Sequence, residues 1–273
     1  MSYPRPSHRS PSTLRPLSAE LSPLHQADGS ASLKVGNTHI MVAIYGPVAP
    51  RISHRERIDR GLVSVVFSKG VMMAGSGGGV SSDGKDNGEC MKPLATPMPS
   101  GGGASERELE SFVCDALSSC IMLERYPRCV IQVVIQIVQA DGSVLGTAVN
   151  CAEMALVDAG VAMKGLPVAS TCVVVSRQLQ NGHAGSIWMD PTAEEESAEG
   201  HTIVVLVTEA GSSDDEADKA AEVITSFTSG APLSMSGLIQ CMETTDKFNT
   251  AMVAFMRMAV EQKVQKEVET LWS

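Results

Sequence analysis

Polar and apolar residues alternate over residues 30–35, as Ser30, Ala31, Ser32, Leu33, Lys34 and Val35, and residues 38–45 form a second β-rich run. A period of two predicts strands, and Gly36-Asn37 between them predicts a hairpin turn. Gly46-Pro47 is expected to end the second strand, and residues 62–67 read as another. The period then lengthens. Leu109, Phe112, Val113, Ala116, Leu117, Cys120 and Ile121 recur every three or four positions, which predicts a helix running to about Leu123. Ser105, with Glu108 three residues on, supplies a capping-box start for it. Alternation returns over residues 129–139, where Ile131, Val133, Ile135 and Ile137 share one face and Gln132 and Gln136 interrupt the other. Asp141-Gly142 should turn the chain. Residues 148–159 are small and apolar on most sides and close on Gly160, so a buried helix is expected there. Strands are expected again at 169–175 and 202–208. The last segment, about 234–271, reads as one helix or two, with Met252, Phe255, Met256, Ala259, Val260 and Val264 turned inward.

Two segments lack such a pattern. Residues 1–15 are rich in Pro, Ser and Arg, too poor in apolar side chains to repay ordering, and are expected to be a flexible tail. Residues 70–104 are mostly Gly, Ser, Pro and Met. Their glycine triplets are not followed by Gly-Lys-Ser/Thr, so a flexible insertion is expected there and not a phosphate loop. Strands, a helix, more strands and terminal helices together predict an α+β or mixed α/β fold in one domain over residues 16–272.

Composition narrows this picture. Apolar residues make up 43% of the 273, but aromatics only 4%, so the core must come from aliphatic side chains and the 15 methionines. No apolar run approaches the roughly 20 residues of a membrane span, and the N-terminal residues lack a hydrophobic signal core, so an intracellular soluble protein is expected. The seven cysteines form no C-x-x-C pair and are expected to be buried thiols. A net charge of −10 argues against a dedicated nucleic-acid binder. The charge is uneven, however. Acids gather in 194–199 and 214–222, whereas Arg51, Arg55, Arg57 and Arg60 form a basic segment able to touch RNA phosphates.

Three motifs, in order, carry a resemblance. The first is Asp28-Gly29-Ser30-Ala31, with Gly36-Asn37-Thr38 and Tyr45-Gly46-Pro47. The second is Gln139-Ala140-Asp141-Gly142-Ser143, leading into Asn150-Cys151-Ala152 and Ala155-Leu156-Val157-Asp158-Ala159-Gly160-Val161. The third is Asp190-Pro191-Thr192, with acids after it. Together they resemble the RNase PH-like proteins, among them ring subunits of the RNA exosome. The resemblance implies the RNase PH-like (ribosomal protein S5 domain 2-like) fold and a hetero-hexameric ring of such subunits around an RNA channel. It also implies RNA-binding cap subunits as partners, a role in RNA degradation and rRNA processing, and a place in nucleus, nucleolus and cytoplasm.

Phosphorolysis needs donors to hold phosphate as nucleophile and acid side chains to manage charge on the leaving oxygen, directly or through Mg²⁺. In active relatives a Gly-Thr-Arg-Thr type run follows the Asp-Gly turn. Here Ser143-Val144-Leu145-Gly146 stands there, with Leu145 at the arginine position. Where active relatives carry two aspartates about six positions apart, this chain has Glu196 and Thr202. Glu194, Glu195 and Glu196 are expected to form a solvated loop, since consecutive carboxylates point apart. A non-catalytic ring subunit with no catalytic residue, metal or cofactor is therefore expected. The competing reading is a metal-dependent or phosphorolytic exoribonuclease working as a homodimer through residues 194–199.

Overall fold

The computed structural model describes residues 5, 9–50, 57–69, 106–175, 186–198, 200–210 and 222–272. Cys90, Arg51, Arg55, the cap at Ser105 and the insertion expected at 70–104 lie outside them.

Alternation sets the first sheet. β1 (Leu17–Leu21), β2 (Gly29–Val35) and β3 (Thr38–Val48) pair as antiparallel neighbours, with Gly36 at φ 58° turning β2 into β3. β3 does not end at Gly46-Pro47. It bulges between Tyr45 and Val48 and regains its partner there. β5 (Val130–Gln139) pairs antiparallel with β3 and parallel with β4 (Leu62–Lys69), so the order is β1-β2-β3-β5-β4. The parallel pair needs a crossover, and α1 (Glu106–Cys120) lies within it. Ile131, Val133 and Ile135 face inward, whereas Gln132 and Gln136 are exposed beside Tyr45, Val66 and Val138.

The second sheet is wholly antiparallel, in the order β7-β6-β8-β9: β6 is Leu166–Val175, β7 Ser186–Met189, β8 His201–Ala210 and β9 Glu222–Gly230. β6 is buried from Pro167 to Val175 without alternation, because both its faces are covered. Val173, Val205 and Val207 join the main core with α2 (Val144–Asp158), which also packs on β2 and β3. Cys172, Val174, Val204 and Leu206 join Cys241 of α4 (Met235–Trp272) in a second cluster. α2 is thus the hub between the sheets. Each large aliphatic chain buried against it adds roughly 1.5–3 kcal/mol.

Several elements differ from the expectation. α2 begins four residues earlier than its apolar pattern, at Val144. The C-terminal segment is one helix, and Val264 is 51% exposed because α4 leaves the body near that residue. β7, β9 and the one-turn helix α3 (Ala193–Ser197) were not among the expected elements. Of the cysteines, Cys120, Cys151, Cys172 and Cys241 are buried, and burial pushes the Cys151 thiol up to about 12.

Candidate functional site

The Asp141-Gly142 turn, the N-terminus of α2, and the link from β7 into α3 meet at one end of the molecule. Gly142 has φ 76°, and a Cβ there would sit 2.5 Å from the Pro191 carbonyl oxygen, so only glycine lets the two loops touch. Thr38 at the start of β3 ties the turn down, donating to the Gly142 carbonyl (2.8 Å) and accepting from the Asp141 N–H (3.2 Å). The Asp141 carboxylate in turn accepts from the Ala193 N–H at 3.4 Å. Asp141 is therefore a structural turn residue.

Asp190 leaves β7 in a left-handed conformation (φ 51°) and is 2% exposed. Its carboxylate takes three bonds from Arg15: the backbone N–H and Nε on Oδ2, both 2.9 Å, and Nη2 on Oδ1 at 2.6 Å. The same guanidinium reaches the Asp141 and Gly142 carbonyls, at 2.5 and 3.3 Å. Arg5 grips Glu195 bidentately, Nε and Nη2 each 2.8 Å from its oxygens, and also donates to the Met189 and Asp190 carbonyls. Arg9 donates to the Asp190 carbonyl at 3.0 Å and lies 3.8 Å from the Glu195 carboxylate. Planar guanidinium donors matched to carboxylates in this way give strong, oriented pairs.

Two expectations are corrected here. The described residues of the 1–15 segment are not a free tail: Arg5 and Arg15 are buried and three arginines strap the segment to Asp190 and Glu195. Nor do Glu194, Glu195 and Glu196 form a solvated loop. They sit in α3, where Glu195 accepts from the Thr192 N–H (3.1 Å), and Glu195 and Glu196 are 0% and 8% exposed. The T-x-x-E pattern from Thr192 to Glu195 was a readable helix-start signal. The arginine partners were not readable, since 190 residues separate Arg5 from Glu195.

Glu196 faces the turn. Ser143, at φ 55°, donates its N–H to Glu196 Oε1 at 2.6 Å. Burial is the main cause that raises the Glu196 carboxyl to about 7, with Asp190 and Asp141 adding to it, while the Ser143 bond and Arg15 oppose. A carboxyl thus occupies the mouth of α2, where an anion would otherwise find N–H donors and the positive end of the helix dipole. The first-turn side chains offer no free donor: Val144 is buried, Leu145 packs against the main core, and the Thr147 hydroxyl donates to the Ser143 carbonyl at 2.7 Å. Thr202, at the second acid position, is 1% exposed and turns its hydroxyl away, donating to the Ala231 carbonyl at 2.8 Å. His201 bonds the Glu195 carbonyl through Nδ1 (2.7 Å) and stacks edge-on to Trp188. Among the described residues, no three His, Cys, Asp or Glu side chains are placed to share an ion.

The basic segment is elsewhere, at the end of the first sheet where β4 and β5 begin. Arg57 and Arg60 are exposed, with Arg60 51% exposed and 3.9 Å from Asp59. The Arg57 carbonyl accepts from the Arg128 N–H at 3.0 Å, so the turn bearing Arg125 and Arg128, both exposed, joins this patch. That addition depends on chain pairing and has no local signal in the sequence.

Residues 13–162 match the family model described as 3' exoribonuclease family, domain 1. The chain is similar along nearly its whole length to the exosome complex exonuclease RRP46 homolog of Arabidopsis thaliana, 29% identical over 97% of this chain and 99% of that one. It is also 32% identical to the exosome complex component MTR3 of Mus musculus, over 74% of this chain and 70% of the other. The crystal structure of rice (Oryza sativa) Rrp46 matches it with a TM-score of 0.70 at 28% identity, covering 94% of this chain and 100% of that one.

Proposed function

The chain belongs to the 3' exoribonuclease family, and from that premise we propose that it is a non-catalytic ring subunit of an RNA exosome core, acting in RNA degradation and processing. One observation carries the non-catalytic half of the reading. The anion position at the N-terminus of α2 has a Glu196 carboxyl on the Ser143 N–H and apolar Val144 and Leu145 beside it. Phosphate would have to displace a carboxyl and then find no cation there, since Arg5, Arg9 and Arg15 are engaged with Asp190 and Glu195. A buried anion without charge-assisted donors is strongly disfavoured.

The ring half rests on the end-to-end likeness to exosome components, and the surface agrees with it. Tyr45, Val66 and Val138 stand exposed with two glutamines on the outer face of the first sheet, a neutral area suited to a neighbouring subunit. RNA-binding cap subunits and RNA in the channel complete the proposed partners. Arg57 and Arg60, together with Arg51 and Arg55 of the same segment, are the proposed RNA contacts, which would be weak and dependent on salt. Nucleus, nucleolus and cytoplasm are the proposed locations.

Purification of the tagged chain from its own cells, with mass measurement of whatever accompanies it, tests the ring reading. Stoichiometric recovery of other 3' exoribonuclease-family subunits is expected, and recovery of the chain only as a homo-oligomer would overturn it.

A further inference from the structure

Glu153, in the third turn of α2, is 1% exposed, and neither of its carboxyl oxygens finds a hydrogen-bond donor among the described residues. Its place in the hub helix makes that orphaned acid expensive, and burial alone raises its pKa well above the ordinary carboxyl range. Glu153 belongs to the lining of a cleft of about 270 Å³ between α2, the start of β6 and α4. Met154, Val157, Leu166, Met256 and Val260 make its walls apolar. At the mouth, Arg257 and Glu261 are both exposed, and Arg257 makes no bond to Glu153.

An occupant must therefore combine a hydrocarbon body with a group that satisfies a buried carboxyl. A hydroxyl would serve one oxygen only. An ammonium donates three bonds and turns an orphaned acid into a charge-assisted pair. We propose that this cleft binds an aliphatic ammonium group, its stem lying along the methionine and valine side chains and its charge on Glu153. The same chemistry is offered by a free alkylamine and by a lysine of a neighbouring subunit. Only the second source rests on the ring reading.

Thermal unfolding of the full chain with n-hexylammonium, against hexanol and hexanoate at equal concentrations, tests the chemistry. Hexylammonium is expected to raise Tm by several degrees in a saturable way, as a ligand of the folded state does. Hexanol and hexanoate should leave Tm unchanged, and Glu153→Gln or the cleft-filling Val260→Trp should each abolish the shift. An equal shift with hexanol, or a shift that survives Glu153→Gln, would overturn the proposal, as would no shift with hexylammonium. Repeating the titration on the purified complex separates the sources. Saturable binding there as well assigns the cleft to a free amine. Loss of binding in the complex, with complex formation weakened at least tenfold by Glu153→Gln, assigns it to a partner's lysine. Loss of binding without that weakening counts against both.

Discussion

Arg15 shows how one residue can hold three segments at once. Its guanidinium and backbone N–H fill the Asp190 carboxylate while its remaining donors close on the Asp141-Gly142 turn. Arg15→Met should therefore strand a buried carboxylate and cost about 3–5 kcal/mol, read from urea denaturation. Glu196 makes a prediction in pH. Its folded value of about 7 lies above the unfolded value, so the fold keeps a proton that the unfolded chain releases. The stabilisation is complete at pH below the unfolded value and is lost as pH rises toward 7, by about 3 kcal/mol in all. Tm measured from pH 4.5 to 7.5 should fall less steeply in Glu196→Gln than in the parent chain, and an identical slope in both would count against a buried, protonated Glu196. The resemblance alone sets Leu145 against an arginine and Thr202 against an aspartate, a comparison made without any folded partner. The arginine–carboxylate pairs were hidden, since they join residues that only the fold brings together.

Elements were legible where one period ruled. The alternation in β2 and β5 and the three-four spacing in α1 gave their faces correctly. α2 was read too short because its first turn, Val144 to Thr147, includes a glycine and a β-branched valine and threonine, and the left-handed Ser143 before it leaves no composition signal. Gly142 carries that turn, and Gly142→Ala should destabilise the protein by about 2–4 kcal/mol through both the positive φ and the contact with Pro191. α4 offers a contrast along one helix. Lys263 pairs with the buried Asp158, which also accepts from Ser22 and the Ser30 N–H. Lys263→Met should cost about 2–3 kcal/mol by leaving Asp158 without its cation. Ending the chain after Lys266 removes one surface ion pair and residues that are exposed wherever they are described, and should cost about 0.5 kcal/mol. Comparing urea midpoints of the two variants checks both values.

At the scale of the whole molecule, two sheets around one buried helix reproduce the framework of a nuclease family, and the proposed loss of its reaction rests on contacts made between distant segments. Motifs in order along the chain carried the family and the fold class, because glycine turns and small-residue helices are written locally. Those contacts were not written locally. They are an N-terminal strap crossing to α3 and a carboxyl turned onto the mouth of α2. Incubation of the purified chain, alone and within its complex, with end-labelled RNA and inorganic phosphate tests this most directly. No release of nucleoside diphosphates is expected in the isolated chain, and any release by the complex should be unchanged by Glu196→Gln. Phosphate-dependent release by the isolated chain, abolished by Glu196→Gln, would contradict it.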